Sequence, residues 1–146
     1  MRSFIVTFAV ISALISWGTH ANAQSKKRAT KDDYAIDLKA SATSIDKGKK
    51  GDFSVLIKAK NGLKIHPEAP LTLKLTTTPG ISLTKTKLSR EDASKKGSAK
   101  SPNLRTTINA KSAGDQTVTG DLSFFLCSKD WCERVSEKVQ HKLKVK

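Results

Sequence analysis

The only two cysteines of the chain, Cys127 and Cys132, are separated by four residues and lie between two segments of alternating apolar and polar residues. A four-residue loop would place them opposite each other in a β-hairpin, at a Cα–Cα distance that a disulfide can span. Such a disulfide is either a structural cross-link or a redox-active pair, and the spacing leaves both open. Two aromatic neighbours, Phe125 and Trp131, are candidates to contact a partner or to shield the sulfurs.

The hairpin register follows from this pairing of the cysteines. It sets Asp121 opposite Lys138, a favourable pair of opposite charges, and Phe124 opposite Val135, an apolar pair. Alternation then predicts a core-facing side of the first strand that consists of Val118, Leu122, Phe124 and Leu126.

The other side of the hairpin carries the cysteines. Phe125 and Cys127 face outward, with Arg134 and Cys132 opposite them, so the disulfide is expected to point away from the core. Three polar residues of the second strand then share the core face with its valines, and a β-bulge near the loop would move them away; they are Glu133, Glu137 and His141.

The local chemistry does not separate the two roles of the disulfide. Closing so short a loop contributes only about 2 kcal/mol by chain entropy, a modest amount for a domain with its own core. Lys129 and Arg134 favour a thiolate over a thiol, which eases exchange, whereas Asp130 and Glu133 act in the opposite direction.

The first 23 residues have the pattern of an export signal. Arg2 is followed by the apolar segment 4–17, and Ala21-Asn22-Ala23 is a cleavage site that makes Gln24 the first mature residue. The alternative, a retained membrane anchor, is disfavoured because the apolar segment is too short to span a bilayer. The mature protein is therefore expected in an oxidising compartment outside the cytoplasm, where disulfides persist.

The mature chain is strongly basic. Loss of Arg2 leaves 26 basic and 13 acidic residues, a formal net charge of +13. This charge is either a set of solvated, lysine-rich strand faces or a surface that attracts anionic partners such as envelope polymers or acidic proteins. Nucleic acid is not an expected partner, because the five aromatic residues of the mature chain are not interleaved with a basic cluster.

Short alternating segments separated by turn residues predict an all-β fold over residues 33–146. Residues 24–32 are polar and basic and predict a flexible tether. No segment outside the signal has a sustained period near 3.6, so no helix is predicted. Seven to eight strands at this spacing indicate one antiparallel β-sandwich domain. The strands are expected around Tyr34–Leu38, Phe53–Ala59, Leu71–Leu75, Ile81–Leu83, Leu104–Ala110, Val118–Cys127 and Cys132–Val145.

The loop that contains His66, Pro67 and Glu68 is the remaining distinctive segment. His66 and Glu68, with His141, form no recognised metal spacing, so neither a metal nor another cofactor is predicted. A proline-stiffened connection between strands fits the loop better. No hydrolytic or phosphate-binding motif is present.

In general layout, most of the mature chain resembles the N-terminal, immunoglobulin-like periplasmic domain of the thiol:disulfide interchange protein DsbD. The resemblance is specific from Ser112-Ala113-Gly114 to Val139: a turn, an alternating strand, a cysteine, a short loop, a second cysteine and a strand with Glu137-Lys138-Val139. The family usually has one more residue between its cysteines and a proline pair after the second, where this chain has Glu133-Arg134.

The resemblance implies an immunoglobulin-like sandwich and a periplasmic location. For the loop that contains His66, it implies a role in shielding the disulfide instead of a mere connection between strands. It also implies a redox role for Cys127 and Cys132, with a thioredoxin-like partner as the separate source of electrons. The alternative is a non-enzymatic binding module in which the disulfide only stiffens a hairpin that presents Phe125 and Trp131.

Overall fold

The structure is built almost entirely from β-strands. A computed structural model describes residues 29–94 and 101–146; the predicted signal peptide (1–23) and the first part of the predicted tether (24–28) lie outside the described residues. The strands are β1 (Tyr34–Asp37), β2 (Ser44–Ile45), β3 (Lys50–Ala59), β4 (Lys64–Ile65), β5 (Thr72–Thr77), β6 (Ile81–Leu83), β7 (Lys87–Ser89), β8 (Asn103–Ala110), β9 (Gly114–Cys127) and β10 (Cys132–Val145).

The strands form two sheets that pack face to face. One sheet has the order β1-β3-β8-β6, and the other has the order β2-β10-β9-β5-β7, with β4 paired to the end of β9. All pairs are antiparallel except β2 with β10. The predicted immunoglobulin-like β-sandwich is therefore confirmed. The described ranges contain ten strands rather than seven or eight, because β2, β4 and β7 are two- or three-residue segments that alternation cannot reveal.

The hydrophobic core lies between the two sheets. Side chains of the long strands alternate between the inner and the outer face of each sheet, and most of the inner ones are buried. The largest fully buried side chains include Phe53, Ile57, Leu73, Leu104, Ile108, Leu122, Phe124 and Leu126.

Gly120, in the middle of β9, leaves room for core side chains of the two strands that flank β9 in the same sheet. A Cβ atom there would lie 2.8 Å from Leu75, 2.9 Å from Leu73 and 3.0 Å from Val139. Any larger residue must therefore displace core side chains on both neighbouring strands, which is the usual reason for a glycine inside a strand.

The β9–β10 hairpin has the predicted register. Cys127 pairs with Cys132, and the pairing continues without interruption to Gly114 and Val145. The predicted pairs of Asp121 with Lys138 and of Phe124 with Val135 are both present. The expected β-bulge is wrong, because the ladder has no extra residue on either strand.

The core-facing acids of β10 are instead satisfied by the N-terminal segment. The Glu133 carboxylate accepts a hydrogen bond of 2.8 Å from the backbone N–H of Ala29, which is itself buried. Glu137 accepts hydrogen bonds from the Tyr34 hydroxyl and from the Lys31 ammonium group. These contacts supply the partners that a partly buried carboxylate requires.

His141, four residues beyond Glu137, is the third polar residue on the inner face of β10. Its Nε2 atom lies 2.8 Å from the carbonyl oxygen of Ala42, and its ring lies 6.1 Å from that of Phe53. Polar residues at every fourth position of β10 thus meet successive parts of the chain between residues 29 and 42.

Two short 3-10 helices correct the expectation of an entirely helix-free domain. They span Lys31–Asp33 and Arg90–Asp92, and in each an aspartate closes a capping box with the preceding Thr30 or Ser89. The first helix also shows that the last residues of the predicted tether, from Ala29 onward, pack on the domain. A helix of three residues is too short to produce a repeating pattern in the sequence, so periodicity cannot reveal it.

We expect Tyr34 to remain protonated in the folded domain at alkaline pH. Burial, then the hydrogen bond to Glu137 and its negative charge, raise the pKa of Tyr34 above its ordinary value of 10.0. The stability that this group contributes is complete below pH 10 and is lost as the pH rises further, because only the unfolded chain ionises readily there. Tyr34 is the only tyrosine, so tyrosinate absorbance in the near ultraviolet follows it alone.

A Tyr34→Phe variant, which removes the absorbance change, is the control for this titration. Circular dichroism recorded on the same samples reports unfolding. A tyrosinate transition centred near pH 10 in protein that is still folded would contradict the buried hydrogen bond.

Candidate functional site

The turn that joins β9 to β10 is organised by Ser128. Its N–H donates to the carbonyl oxygen of Trp131 at 2.8 Å, and its hydroxyl oxygen accepts from the N–H groups of Asp130 and Trp131 at 3.1 and 3.2 Å. Serine is suited to such local capping of backbone donors in a turn. The closed turn aligns the two strand ends and so sets Cys127 against Cys132.

The two cysteines form a disulfide, with an S–S distance of 2.01 Å and Cα atoms 4.1 Å apart. Their environments differ strongly. Cys127 is 1% exposed, whereas Cys132 is exposed. The cause is β4: Lys64 of that strand pairs with Cys127 on the side away from Cys132, so only Cys127 has a neighbour on both flanks.

His66 extends β4 by one residue and reaches the disulfide. Its N–H donates to the carbonyl oxygen of Phe125 at 2.9 Å, which continues the β4–β9 ladder. A ring nitrogen of His66 and the sulfur atoms of Cys127 and Cys132 all lie within 4.8 Å of one another. The loop residue that was predicted to shield the disulfide therefore lies beside it.

The tautomer of the His66 ring is set by its own loop. The Nδ1 atom accepts hydrogen bonds from the N–H groups of Glu68 and Ala69, at 3.1 and 2.9 Å. An atom that accepts two hydrogen bonds carries no hydrogen, so in the neutral ring the hydrogen lies on Nε2. Nε2 is thus the one ring nitrogen of the neutral form that can donate a hydrogen bond.

Arg90 holds the same loop from the other side. Its guanidinium group donates to the carbonyl oxygen of Ala69, from Nε at 3.1 Å, and to that of His66 at 2.5 Å. Partial burial lowers the pKa of Arg90, and a guanidinium group remains a cation despite such a shift. The position of the His66 ring is therefore fixed by backbone and side-chain contacts rather than by the disulfide.

The charges around the sulfurs are more positive than the sequence suggested. Lys64 and Arg134 lie on the same face of the sheet as the disulfide, because each pairs with a residue of that face. Glu133 pairs with buried Leu126 on the opposite face, where it binds Ala29. Its carboxylate therefore opposes a thiolate less than its position beside Cys132 implies.

The two aromatic candidates are less exposed than predicted. Phe125 is half-buried on the outer face, opposite Arg134. Trp131 is also half-buried and packs against the hydrophobic core at the turn. Both flank the disulfide, but neither is a freely exposed contact residue.

The structure groups His66 with the cysteines rather than with the other polar candidates. His141 lies opposite Val118, seven residues along β9 from the partner of His66, or about 24 Å. Glu68 is exposed, and only its N–H contacts the His66 ring. Metal ligation by Nε2 of a neutral ring would require the hydrogen to move to Nδ1 and both amide hydrogen bonds to break.

Two features of the site escaped the sequence reasoning. Nothing in the sequence pattern marks Lys64, and the shielding of the disulfide by the His66 loop was expected only from the layout that the resemblance implies. The Asn61-Gly62 turn was the available signal, because it returns the chain toward β9 and allows a short strand to follow.

The fold recurs in solved structures at low sequence identity. The native conformation of Escherichia coli alpha-2-macroglobulin matches with 14% identity and a TM-score of 0.52 over 78% of this chain and 7% of that chain. Domains 4 and 5 of the S-layer protein SbsC match with 16% identity and a TM-score of 0.43, over 76% of this chain and 50% of that chain. Murine CRIg matches with 9% identity and a TM-score of 0.41, over 77% and 98%.

The likeness to alpha-2-macroglobulin shows the fold alone, and the other two carry no argument. The chain spans half or less of the length of the first two structures. No protein-family model matches the chain, and no curated protein is significantly similar to it. Within residues 29–94 and 101–146, no helix is long and apolar enough to cross a membrane.

Proposed function

We propose that this chain is an exported, periplasmic thiol–disulfide exchange domain whose redox centre is Cys127–Cys132. The observation that carries the proposal is the inequality of the two sulfurs. Cys132 is open to a partner, whereas Cys127 is buried and pairs in register with Lys64, and a ring nitrogen of His66 lies within 4.8 Å of both sulfurs. A purely structural cross-link requires neither feature.

Reduction of the disulfide would begin at Cys132. The thiolate of a thioredoxin-like reductant attacks the Cys132 sulfur, the Cys127–Cys132 bond breaks, and Cys127 leaves as a thiolate. A second thiol of the reductant then displaces Cys132, which leaves a dithiol in this domain and a disulfide in the reductant. Two electrons are thereby transferred.

Delivery of the electrons would use the same sulfur. The Cys132 thiolate attacks the disulfide of a recipient protein and forms a mixed disulfide. Cys127 then attacks the Cys132 sulfur, restores the internal disulfide and releases the reduced recipient. Both directions therefore place the buried Cys127 in the role of the resolving or leaving group.

His66 and Lys64 would stabilise the Cys127 thiolate. A neutral His66 with its hydrogen on Nε2 donates a hydrogen bond to the sulfur and needs no proton transfer. Lys64 lies in register with Cys127 and adds a positive charge on the same face. Burial alone disfavours a thiolate, so this donor and charge supply the compensation that exchange requires.

The resemblance to the DsbD N-terminal domain supports the same function and a periplasmic location. Its redox pair corresponds to Cys127 and Cys132, and its partners include thioredoxin-like proteins. The present domain would differ in its shorter loop and in the Glu133-Arg134 pair that follows Cys132.

The reduction potential of the Cys127–Cys132 bond tests the proposal most directly. We expect a value well above roughly −300 mV, as for labile and catalytic disulfides. Equilibration of the purified protein with glutathione buffers, followed by alkylation and intact mass measurement, gives the reduced fraction. A bond that is reduced only when the domain unfolds would identify a structural cross-link and favour the non-enzymatic binding module.

Single cysteine variants test the order of attack. Cys127→Ser leaves the exposed Cys132, which we expect to form a mixed disulfide with oxidised glutathione at least about tenfold faster than the buried thiol in Cys132→Ser. Intact mass spectrometry after timed acid quenching follows the adduct. In envelope extracts, the Cys127→Ser protein should also retain a thioredoxin-like partner. Equal rates for the two variants would remove the assigned roles.

Two substitutions of His66 separate its donor from its loop contacts. Asparagine retains an acceptor near the position of Nδ1 but lacks the Nε2 donor, whereas glutamine retains a donor near Nε2 but not the acceptor. Loss of a charge-assisted hydrogen bond costs about 1.5 kcal/mol, so His66→Asn should slow exchange with dithiothreitol roughly tenfold. His66→Gln should exchange at a rate near that of the unmodified protein.

The ultraviolet absorbance of the thiolate, recorded against pH in the reduced proteins, is the second readout. It should shift to higher pH in His66→Asn alone. If His66 only holds the loop, the pattern reverses: asparagine behaves normally and glutamine does not.

A further inference from the structure

The outer face of the six-stranded sheet is strongly basic. Alternation along the paired strands brings seven basic side chains of the described residues to this face but only two acidic ones, Asp115 and Asp121. The basic side chains are those of Lys64, Lys74, Lys87, Arg134, Lys138, Lys142 and Lys144.

The outer face of the four-stranded sheet does not share this excess. Its described residues include three basic side chains and two acidic ones, and one pair, Lys58 with Asp37, forms a salt bridge of 3.1 Å. The others are Lys50, Arg105 and Asp52. The positive charge of the domain is thus concentrated on one side rather than spread evenly.

Three shallow depressions follow one another along β9 and β10 on the basic face. The first lies beside Lys74, Arg134 and Lys138, the second beside Lys138, and the third beside Lys142 and Lys144. Hydroxyl and amide groups line them between the cations: Thr72, Ser123 and Ser136, then Thr76, Thr119 and Gln140, then Thr43 and Thr117. We call this row of depressions, from Arg134 to Lys144, the basic trough.

The two acidic side chains do not cancel the charge of the basic trough. Asp121 lies between Lys74 and Lys138 in the sheet, and its carboxylate forms a salt bridge of 3.3 Å with Lys138. Asp115 pairs in register with Lys144. Each carboxylate therefore has a cation directly beside it, and the remaining cations face solvent.

The shape of the basic trough indicates the kind of partner. The ten-residue rise from Arg134 to Lys144 corresponds to about 34 Å of extended strand. Apart from half-buried Phe125 near the disulfide, the face carries no apolar side chain of the kind that anchors protein interfaces or membrane-bound surfaces. Cations and hydroxyl donors repeated along a line match oxyanions repeated along a polymer.

We propose that the basic trough binds a linear acidic polysaccharide that carries a carboxylate or sulfate group on each repeating unit. This binding does not use the sulfurs. It would hold the domain on an anionic polymer with the disulfide at one end of the contact and Cys132 still accessible.

A matched pair of triple variants tests this assignment. The variant Lys138→Gln/Lys142→Gln/Lys144→Gln removes three charges from the basic trough, and Lys50→Gln/Lys58→Gln/Arg105→Gln removes three from the opposite face. Both reach the same net charge, and all six side chains are exposed. The probes are fluorescein-labelled dextran sulfate and polygalacturonate, with binding to the purified mature protein followed by anisotropy at several salt concentrations.

We expect the trough variant to bind at least about tenfold more weakly and with a shallower salt dependence, because fewer counterions are released. The opposite-face variant should lose no more than about threefold. If the protein binds both polymers, the spacing of the negative charges is the feature that it recognises. If it binds only one, the protein distinguishes the sulfate groups of dextran sulfate from the carboxylate groups of polygalacturonate.

Equal losses in the two triple variants would overturn the proposal, because net charge alone would then explain binding. Retention on phosphatidylglycerol vesicles without binding to either polymer would also overturn it, in favour of a membrane surface. A Cys127→Ser/Cys132→Ser variant should bind the polymers normally, so the result is independent of thiol–disulfide exchange.

Discussion

The continuous pairing of β9 with β10 is the constraint on which the rest of the structure depends. Fourteen residues of each strand pair without a break, from the cysteines to Gly114 and Val145. Because side chains alternate between faces, this register assigns the sulfurs and the lysines of β10 to the outside in one step. A shift of β10 by one residue against β9 would bury those lysines.

The same register forces polar residues of β10 into the sandwich, and the N-terminal segment makes this arrangement tolerable. Among the described residues, the disulfide end of β10 has a strand neighbour only on the β9 side, since β2 pairs with its far end. The backbone N–H of Ala29 and the hydroxyl of Tyr34 donate hydrogen bonds to Glu133 and Glu137, whose side chains point into the sandwich. At these two inward-facing positions of β10, hydrogen bonds to the carboxylates thus take the place of the apolar contacts that an inward-facing side chain normally makes.

Much of this fold could be predicted from the sequence, and the failures have one physical cause. The alternation of apolar and polar residues along each strand and the four-residue turn are local features of the sequence. The sandwich and the pairing of Cys127 with Cys132 could therefore be predicted from them. The partners of Glu133 and Glu137 lie about 100 residues away, and β4 has only two residues. Neither feature leaves a periodic signal in the sequence. A β-bulge was therefore considered for the strand of Glu133 and Glu137, and the position of the His66 loop beside the disulfide was expected only from the layout that the resemblance implies.

The short strand β4 also bears on what the disulfide is for. The register of fourteen pairs is already fixed by alternation and by the Ser128 turn, and a cross-link across so short a loop contributes about 2 kcal/mol. Strand order is thus preserved without the bond. What β4 and His66 change is the exposure and the electrostatic environment of one sulfur, and those properties affect the rates of exchange far more than the stability of a staple. These properties are the reason that we propose reactivity, rather than folding, as the role of the disulfide.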